Sequence, residues 1–230
     1  MPCAKPLRRA FLITNHAPDQ IVSGYENILS QDIVIAVDAG LIVVDLLGLK
    51  PTIIIGDLDS ADRQLLLKYN NTPKLTHPTE KNETDTELAI NWCLKQDKID
   101  EIIVCNDMQG RFDHALGLVQ NLLMLHKKRG KKPAIHIESA DQQVFILPIQ
   151  MNFHNKQGQL ISLISLSPKG QFLSSQGLKY PLDGLILRQS QSRGISNEFS
   201  SDHAEIILLK GDVLALITFA ANSNRIGTRI

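Results

Sequence analysis

The sequence predicts an α/β protein, with an N-terminal parallel-sheet α/β domain followed by a small antiparallel β-sandwich domain. Three observations predict it. Short β-branched runs alternate with helical segments through the first two-thirds of the chain, which is the pattern of a parallel sheet with crossover helices. Three of those runs, at residues 33–38, 52–59 and 101–107, have apolar β-branched centres and end in acids. Beyond Gln150 helical periodicity disappears, and short apolar segments are split by Gly, Ser and Pro. This reading sets the domains at residues 1–150 and 151–230.

Taken in order, residues 7–14 and 32–37 read as the first two strands, rich in Leu, Ile, Val and Phe. A helix over 39–47 leads to a strand that starts at Thr52. Ser60 is placed to cap a helix running to about Tyr69, and 74–76 forms a short strand. Thr84 with Glu87 is a capping box, opening a helix to about Lys95 with Leu88 and Trp92 on one face. After the strand at Glu101 comes the longest helix, 113–128, with an apolar stripe at Leu116, Val119, Leu122 and Leu123. Gly130 suits the position just past its end, and Pro133 bars continuation. A strand at 134–138 completes the first part. In the second part, residues 152–158 are turn-like. Residues 205–209 and 213–219 flank Lys210-Gly211-Asp212 as a hairpin would.

Composition narrows the function. The chain has 230 residues, enough for one large or two small domains with a real core. Lys+Arg and Asp+Glu are equal at 24 each, so no global charge points to nucleic acid or an anionic membrane. The basic run at 127–132 reads as the solvated end of a helix, where cations suit the dipole. No apolar run approaches the ~20 residues of a membrane span, and residues 1–9 lack the apolar core of a signal peptide. Cys3, Cys93 and Cys105 are odd in number and widely spaced, which fits neither a disulfide framework nor a zinc site. A cytoplasmic protein is expected.

Chemistry is expected along one edge of the sheet. Parallel sheets bind ligands outside the carboxyl ends of their strands, where Asp38, Asp57, Asp59 and Asp107 should gather. Clustered carboxylates repel unless a cation sits among them. Oxygen ligands without matching His or Cys favour Mg²⁺, the usual escort of a polyphosphate. A nucleotide handled through metal is therefore expected. In Gly56-Asp57-Leu58-Asp59-Ser60, an extended backbone would put both acids on one side. Capping of the next helix accounts for one of them, not two. Asp85 opens its helix where the dipole favours an acid, and enters the same edge.

In Gly110-Arg111-Phe112-Asp113-His114, Asp113 is a good N-cap and His114 an ordinary first-turn residue. Arg111 offers a planar donor fork that suits phosphate oxygens. The chain has no P-loop, no Gly-x-Gly-x-x-Gly fingerprint, no Gly-x-Ser-x-Gly elbow and no His-Glu-x-x-His. Nucleotide charge must then be met by metal, Arg111, Lys81 and backbone donors.

Six segments, in this order, resemble the thiamine pyrophosphokinase family. They are Asp38-Ala39-Gly40, Gly56-Asp57-Leu58-Asp59-Ser60, Thr84-Asp85-Thr86-Glu87-Leu88-Ala89, Gly110-Arg111-Phe112-Asp113-His114, Gly177-Leu178-Lys179-Tyr180-Pro181-Leu182 and Arg193-Gly194-Ile195-Ser196-Asn197-Glu198. The resemblance implies transfer of the diphosphoryl group of ATP to the hydroxyl of thiamine, giving thiamine diphosphate and AMP. It implies a homodimer, with thiamine held between the α/β domain of one subunit and the β domain of the other. By motif position, Asp57, Asp59 and Asp85 resemble the Mg²⁺ and catalytic carboxylates. Asp38, Arg111 and Asp113 resemble nucleotide-site or supporting residues, and Ser196 and Asn197 the pair that meets thiamine. Many relatives carry Asp where this chain has Asn82, and Gly where it has Ala39. Glu80 is the neighbour placed to replace the missing charge. Two rivals share the acidic edge: a pyrophosphokinase acting on another alcohol such as a hydroxymethylpterin, and a non-catalytic thiamine- or nucleotide-binding regulator.

Overall fold

A computed structural model describes residues 7–18, 28–59, 62–78, 80, 82–128, 130 and 132–219. The chain divides into two compact units, Met1–Ala140 and Asp141–Ile230.

The first unit is an α/β fold. Strands β1 (Arg9–Ile13), β2 (Ile33–Val37), β3 (Ile53–Gly56), β4 (Lys74–Thr76), β5 (Glu101–Cys105) and β6 (Ala134–Glu138) form one parallel sheet. Their order is β6-β5-β1-β2-β3-β4, with every neighbouring pair parallel. Helices α1 (Gly40–Leu46), α2 (Arg63–Lys68), α3 (Asp85–Leu94) and α4 (Phe112–Lys127) connect them. The inner strands are buried on both faces, which explains their continuous apolar runs. On one face Phe11, Ile13, Val34, Ala36 and Ile54 meet Leu41 and Val44 of α1 and Leu65 and Leu66 of α2. Helix α3 packs across β1, β2 and β3 through a buried face of Ala89, Ile90 and Cys93.

Several expected details change. Helix α2 is capped by Asp62, whose carboxylate accepts from the N–H groups of Gln64 and Leu65; Ser60 lies outside the described residues. The buried side of α3 is not the Leu88–Trp92 side. In α4 the buried residues are Leu118, Asn121, Leu122 and Leu125, whereas Leu116 is 49% exposed. That helix is apolar on several sides, so the sheet beside it selects which stripe is covered.

At the basic end of α4, Arg129 and Lys131 lie outside the described residues, and Lys132 is part-buried instead of solvated. Lys132 Nζ donates to the terminal carbonyls of Leu125 (3.0 Å) and His126, closing the helix.

The second unit is a β sandwich. One sheet is β12 (Asn197–Glu198), β9 (Leu160–Ser165), β14 (Val213–Thr218) and β7 (Gln142–Ile146), in that order. The other is β11 (Ile186–Arg188), β10 (Lys169–Gln176), β13 (His203–Lys210) and β8 (Gln150–His154). Alternate residues of both sheets fill one core, including Phe145, Phe153, Phe172, Phe199, Ile206 and Ile217. Strand β7, at 142–146, belongs here through its pairing with β14. The expected hairpin is absent: β13 pairs with β10 and β8, and β14 with β7 and β9. Both strands have an inward-facing side, so the turn at Lys210–Asp212 carries the chain from one sheet to the other instead of pairing its two arms.

Candidate functional site

Topology gathers the sequence-predicted residues of the first unit. In a parallel sheet, each strand leaves at the same edge and each crossover helix begins there. The β2–α1 connection carries Asp38, β3–α2 carries Asp57 and Asp59, β4–α3 ends at Asp85, and β5–α4 carries Asp107, Arg111 and Asp113. The sheet order reverses between β1 and β5, which is the switch point where such folds place a crevice.

Two glycines shape the edge. A Cβ on Gly40 would lie 2.0 Å from the carbonyl oxygen of Ile13, so α1 can start this close to β1 only with glycine there. A Cβ on Gly56 would press within 3.1 Å of the Asp38 Cα. Asp38 itself sits in the left-handed region (φ 50°), with its N–H donating to Ile55 O at 2.8 Å. The Asp-Ala-Gly and Gly-Asp segments are thus locked together before any side chain acts.

The Asp57–Asp59 segment is a turn, not an extended strand. Leu58 has φ 61°, and the Asp59 N–H donates to Asp57 Oδ1 at 3.1 Å. Period-two alternation therefore does not set the direction of the two acids. Asp57 and Asp85 are half-buried and Asp59 is exposed. At α3 the capping expectation holds: Thr84 Oγ1 accepts from the Glu87 N–H at 3.2 Å. Among the described residues, no three His, Cys, Asp or Glu side chains stand close enough to ligate one ion. Uncompensated carboxylates have no reason to converge by themselves. The donors of this edge are nonetheless oxygens, a set that suits a hard divalent cation.

Arg111 and Asp113 form a bidentate pair. Arg111 Nε and a terminal nitrogen donate to the two Asp113 oxygens at 3.1 and 2.6 Å. The pair is well exposed. The hydrogen bond from Arg111, then the His114 N–H, holds the Asp113 carboxyl below its ordinary range, and Asp113 raises Arg111 in turn. Asp113 is not the N-cap. Helix α4 begins one residue earlier, at Phe112, and Arg111 occupies the cap position. Lys81 lies outside the described residues.

Asp107 has a structural task, because its Oδ1 accepts from the Ala140 N–H at 2.8 Å. Next to it is a network that sequence reasoning missed. Buried Thr14 donates to Cys105 O (2.9 Å), Asn106 Nδ2 donates to Thr14 Oγ1 (2.8 Å), and Asn106 Oδ1 accepts from the Met108 N–H (2.6 Å). It ties the ends of β1 and β5 together at the switch point. A cavity of about 300 Å³ opens beside it, lined by His16, Val43, Leu46, Leu47, Asp107 and Gln109 among others. The polar residues just past two apolar strands, Thr14 and Asn106, were its only sequence signal.

In the second unit, Asn197 is 4% exposed and fully occupied. Its Oδ1 accepts from the N–H groups of Tyr180 (3.0 Å) and Glu198 (2.8 Å), and its Nδ2 donates to Tyr180 O (2.7 Å). The amide thus clamps the backbone of Tyr180, a residue that stays 60% exposed. Ser196 has φ 59° and an N–H donating to Ser162 Oγ at 3.0 Å.

Comparison with known proteins assigns both units. Residues 25–133 match the model for the thiamin pyrophosphokinase catalytic domain, and residues 148–214 the thiamin pyrophosphokinase vitamin B1 binding domain. Together they account for about three-quarters of the chain. The chain belongs to the thiamin pyrophosphokinase family.

Individual relatives agree. The Bacillus subtilis thiamine pyrophosphokinase is 29% identical over 188 residues, covering 79% of this chain and 85% of that protein. Thiamin pyrophosphokinase 1 of Caenorhabditis elegans is 26% identical over 162 residues, which span 66% of this chain and only 63% of the worm protein. A crystal structure of the Bacillus subtilis thiamine pyrophosphokinase has the same fold, with a TM-score of 0.77 at 23% identity over 93% of this chain and 100% of that one.

Proposed function

We propose that this chain is a thiamine pyrophosphokinase, moving the diphosphoryl group of ATP to the thiamine hydroxyl and releasing AMP. The observation that carries the proposal is the placement of four family motifs, with Asp38, Asp57/Asp59, Asp85 and Arg111/Asp113, in loops and helix starts at one edge of one parallel sheet. The first unit then handles nucleotide and metal, and the second handles thiamine. Asp57, Asp59 and Asp85 would hold Mg²⁺, which takes few protein carboxylates and completes its shell with phosphate oxygens and water. When bound, the ion supplies neutralisation of charge on the transferring group.

The chain's own residues supply position and proton transfer. In-line attack needs alignment and charge complementarity more than a protein nucleophile. Arg111 exchanges the two Asp113 oxygens for phosphate oxygens, which present the same bidentate spacing to its fork. Asp113 keeps Arg111 extended until then. Either Asp59 or Asp85 accepts the hydroxyl proton, and the pH–rate profiles of Asp59→Asn and Asp85→Asn separate the two. Lys81 and Asp38 support the nucleotide. In the β unit, Ser196 meets thiamine, while Asn197 acts by holding Tyr180, an exposed aromatic on which a flat ring can stack.

We place the enzyme in the cytoplasm as a homodimer. Cys93 and Cys105 are buried free thiols, in keeping with a reducing compartment. Among the described residues no helix is long and apolar enough to cross a membrane. Incubation with ATP, Mg²⁺ and thiamine, followed by assay for AMP and thiamine diphosphate, tests the proposal. Binding of both ligands without AMP release would overturn it.

A further inference from the structure

Far from the acidic edge in sequence, two histidines face each other across strands β8 and β13. The strands are antiparallel, with His154 directly opposite His203. Their neighbours Phe153 and Ala204 point into the sandwich core, so period-two alternation turns both histidines to the solvent face. Both are exposed. Their Nδ1 atoms lie 2.9 Å apart, and the rings meet edge to face with centroids 5.0 Å apart.

We propose that His154 and His203 form a two-imidazole site for a divalent transition ion of tetragonal preference, Cu²⁺ or Ni²⁺. Nitrogens bound at roughly 2.0–2.1 Å and at right angles lie about 2.9 Å apart. The two exposed rings therefore need only turn from their mutual hydrogen bond toward a shared ion, with no change in separation. Among first-row divalent ions, affinity for such nitrogen ligands peaks at Cu²⁺, above zinc. Mg²⁺ is a poor competitor, because it selects oxygen ligands.

Without metal, one ring donates its Nδ1 proton to the other. On metal entry both rings carry their proton on Nε2, so the donating ring changes tautomer and no net proton leaves the neutral pair. The surroundings favour a cation. Asp202 precedes His203, and Glu205 follows two residues along the same face, steadied by Gln150 Nε2 at 2.6 Å from its Oε1. Water completes the coordination. A bound ion would staple the end of β8 to the start of β13 and stabilise the folded β unit by mass action.

The test uses untagged full-length protein, NiCl₂ or CuCl₂ as probe and excess Mg²⁺ throughout. At a pH about one unit above the ordinary imidazole value of about 6.5, calorimetry should find one tight ion per chain. The ion should raise the thermal midpoint and give the absorption of a nitrogen-ligated centre. His154→Gln and His203→Gln should each weaken binding by more than about tenfold, since even outer-shell losses cost that much. Both should keep Mg²⁺-dependent thiamine diphosphate formation unchanged. Asp57→Asn should keep the nickel site intact. Equal binding by wild type and both histidine variants, absence of binding in wild type, or its loss in Asp57→Asn would each overturn the proposal. His154→Asn and His203→Asn give the same readout if a glutamine variant is poorly folded.

Discussion

The two units hold their candidate residues in opposite ways. In the α/β unit, Asp57, Asp59, Asp85, Arg111 and Asp113 sit on loops and helix starts, at least partly open to water. Among their contacts are an Asp57–Asp59 turn and an Arg111–Asp113 fork. In the β unit, Asn197 is buried and spends every polar atom on backbone partners. On the proposed function, the groups that trade partners for phosphate and metal are left at the surface of a rigid sheet. A group that must present another residue is built into the core. The difference separates residues whose loss costs chemistry from residues whose loss costs structure.

The largest effect should therefore come from the open acids. Asp57→Asn or Asp59→Asn is expected to lower turnover by at least ~10²-fold, the scale of losing an electrostatic stabiliser, with the thermal midpoint nearly unchanged. Near-normal turnover in a folded variant would remove these acids from the chemistry. A cleaner division of labour follows if sites are shared between subunits. Inactive Asp57→Asn chains mixed with inactive Asn197→Ala chains should then regain partial activity, and no recovery in heterodimers shown to form would argue for self-contained sites.

Asn197→Ala should lose stability along with activity, unlike Asp57→Asn. It leaves the N–H groups of Tyr180 and Glu198 and the Tyr180 carbonyl without their partner. Because these partners are only part-buried, a loss of about 0.5–1.5 kcal/mol per hydrogen bond is the relevant scale, read from denaturant midpoints. A variant with wild-type stability but poor thiamine affinity would mean the amide meets substrate directly.

Alkaline pH probes the α/β core instead of its edge. Burial pushes the Cys93 thiol from an ordinary 9.0 up to about 12. The unfolded chain then loses this proton first, so stability is full below pH 9 and falls as pH rises toward 12. Cys93→Ala should flatten part of that slope; Tyr69, raised to about 12 by burial and by Asp45, supplies another part. An unchanged slope in Cys93→Ala would show that the thiol is not buried as described.

The smallest effect concerns Asn82 and Glu80, both exposed. Asn82→Asp should lower the Mg²⁺ concentration for half-maximal activity and Glu80→Gln should raise it, since affinity at hard oxygen sites grows with ligand charge. Superimposable titrations would make this stretch a solvated loop.

Much of the α/β unit was legible because its signals are local and repeated. Continuous apolar strands, a capping box at Thr84 and acids at strand ends each follow from a few adjacent residues. What failed depended on partners distant in sequence. The alternation argument for Asp57 and Asp59 assumed an extended backbone, but the left-handed Leu58 replaces it with a turn. Asp113 looked like a cap because it is a good one, yet the helix starts a residue earlier and Arg111 claims its carboxylate. The Thr14–Asn106 network joins residues more than ninety positions apart, which no local pattern announces.

By itself the sequence determined the order of strands and helices in the α/β unit, the acids at the strand ends and the family to which they belong. Hydrophobic periodicity and turn chemistry act over a few residues, and motif order survives in a single chain. Tertiary structure alone decided which stripe of α4 is covered, that β13 and β14 enter opposite sheets, and that Asn197 clamps Tyr180. It also brought His154 and His203 to 2.9 Å. In each case the deciding partner lies on another element, and burial against that partner outweighs a local preference worth a fraction of a kcal/mol.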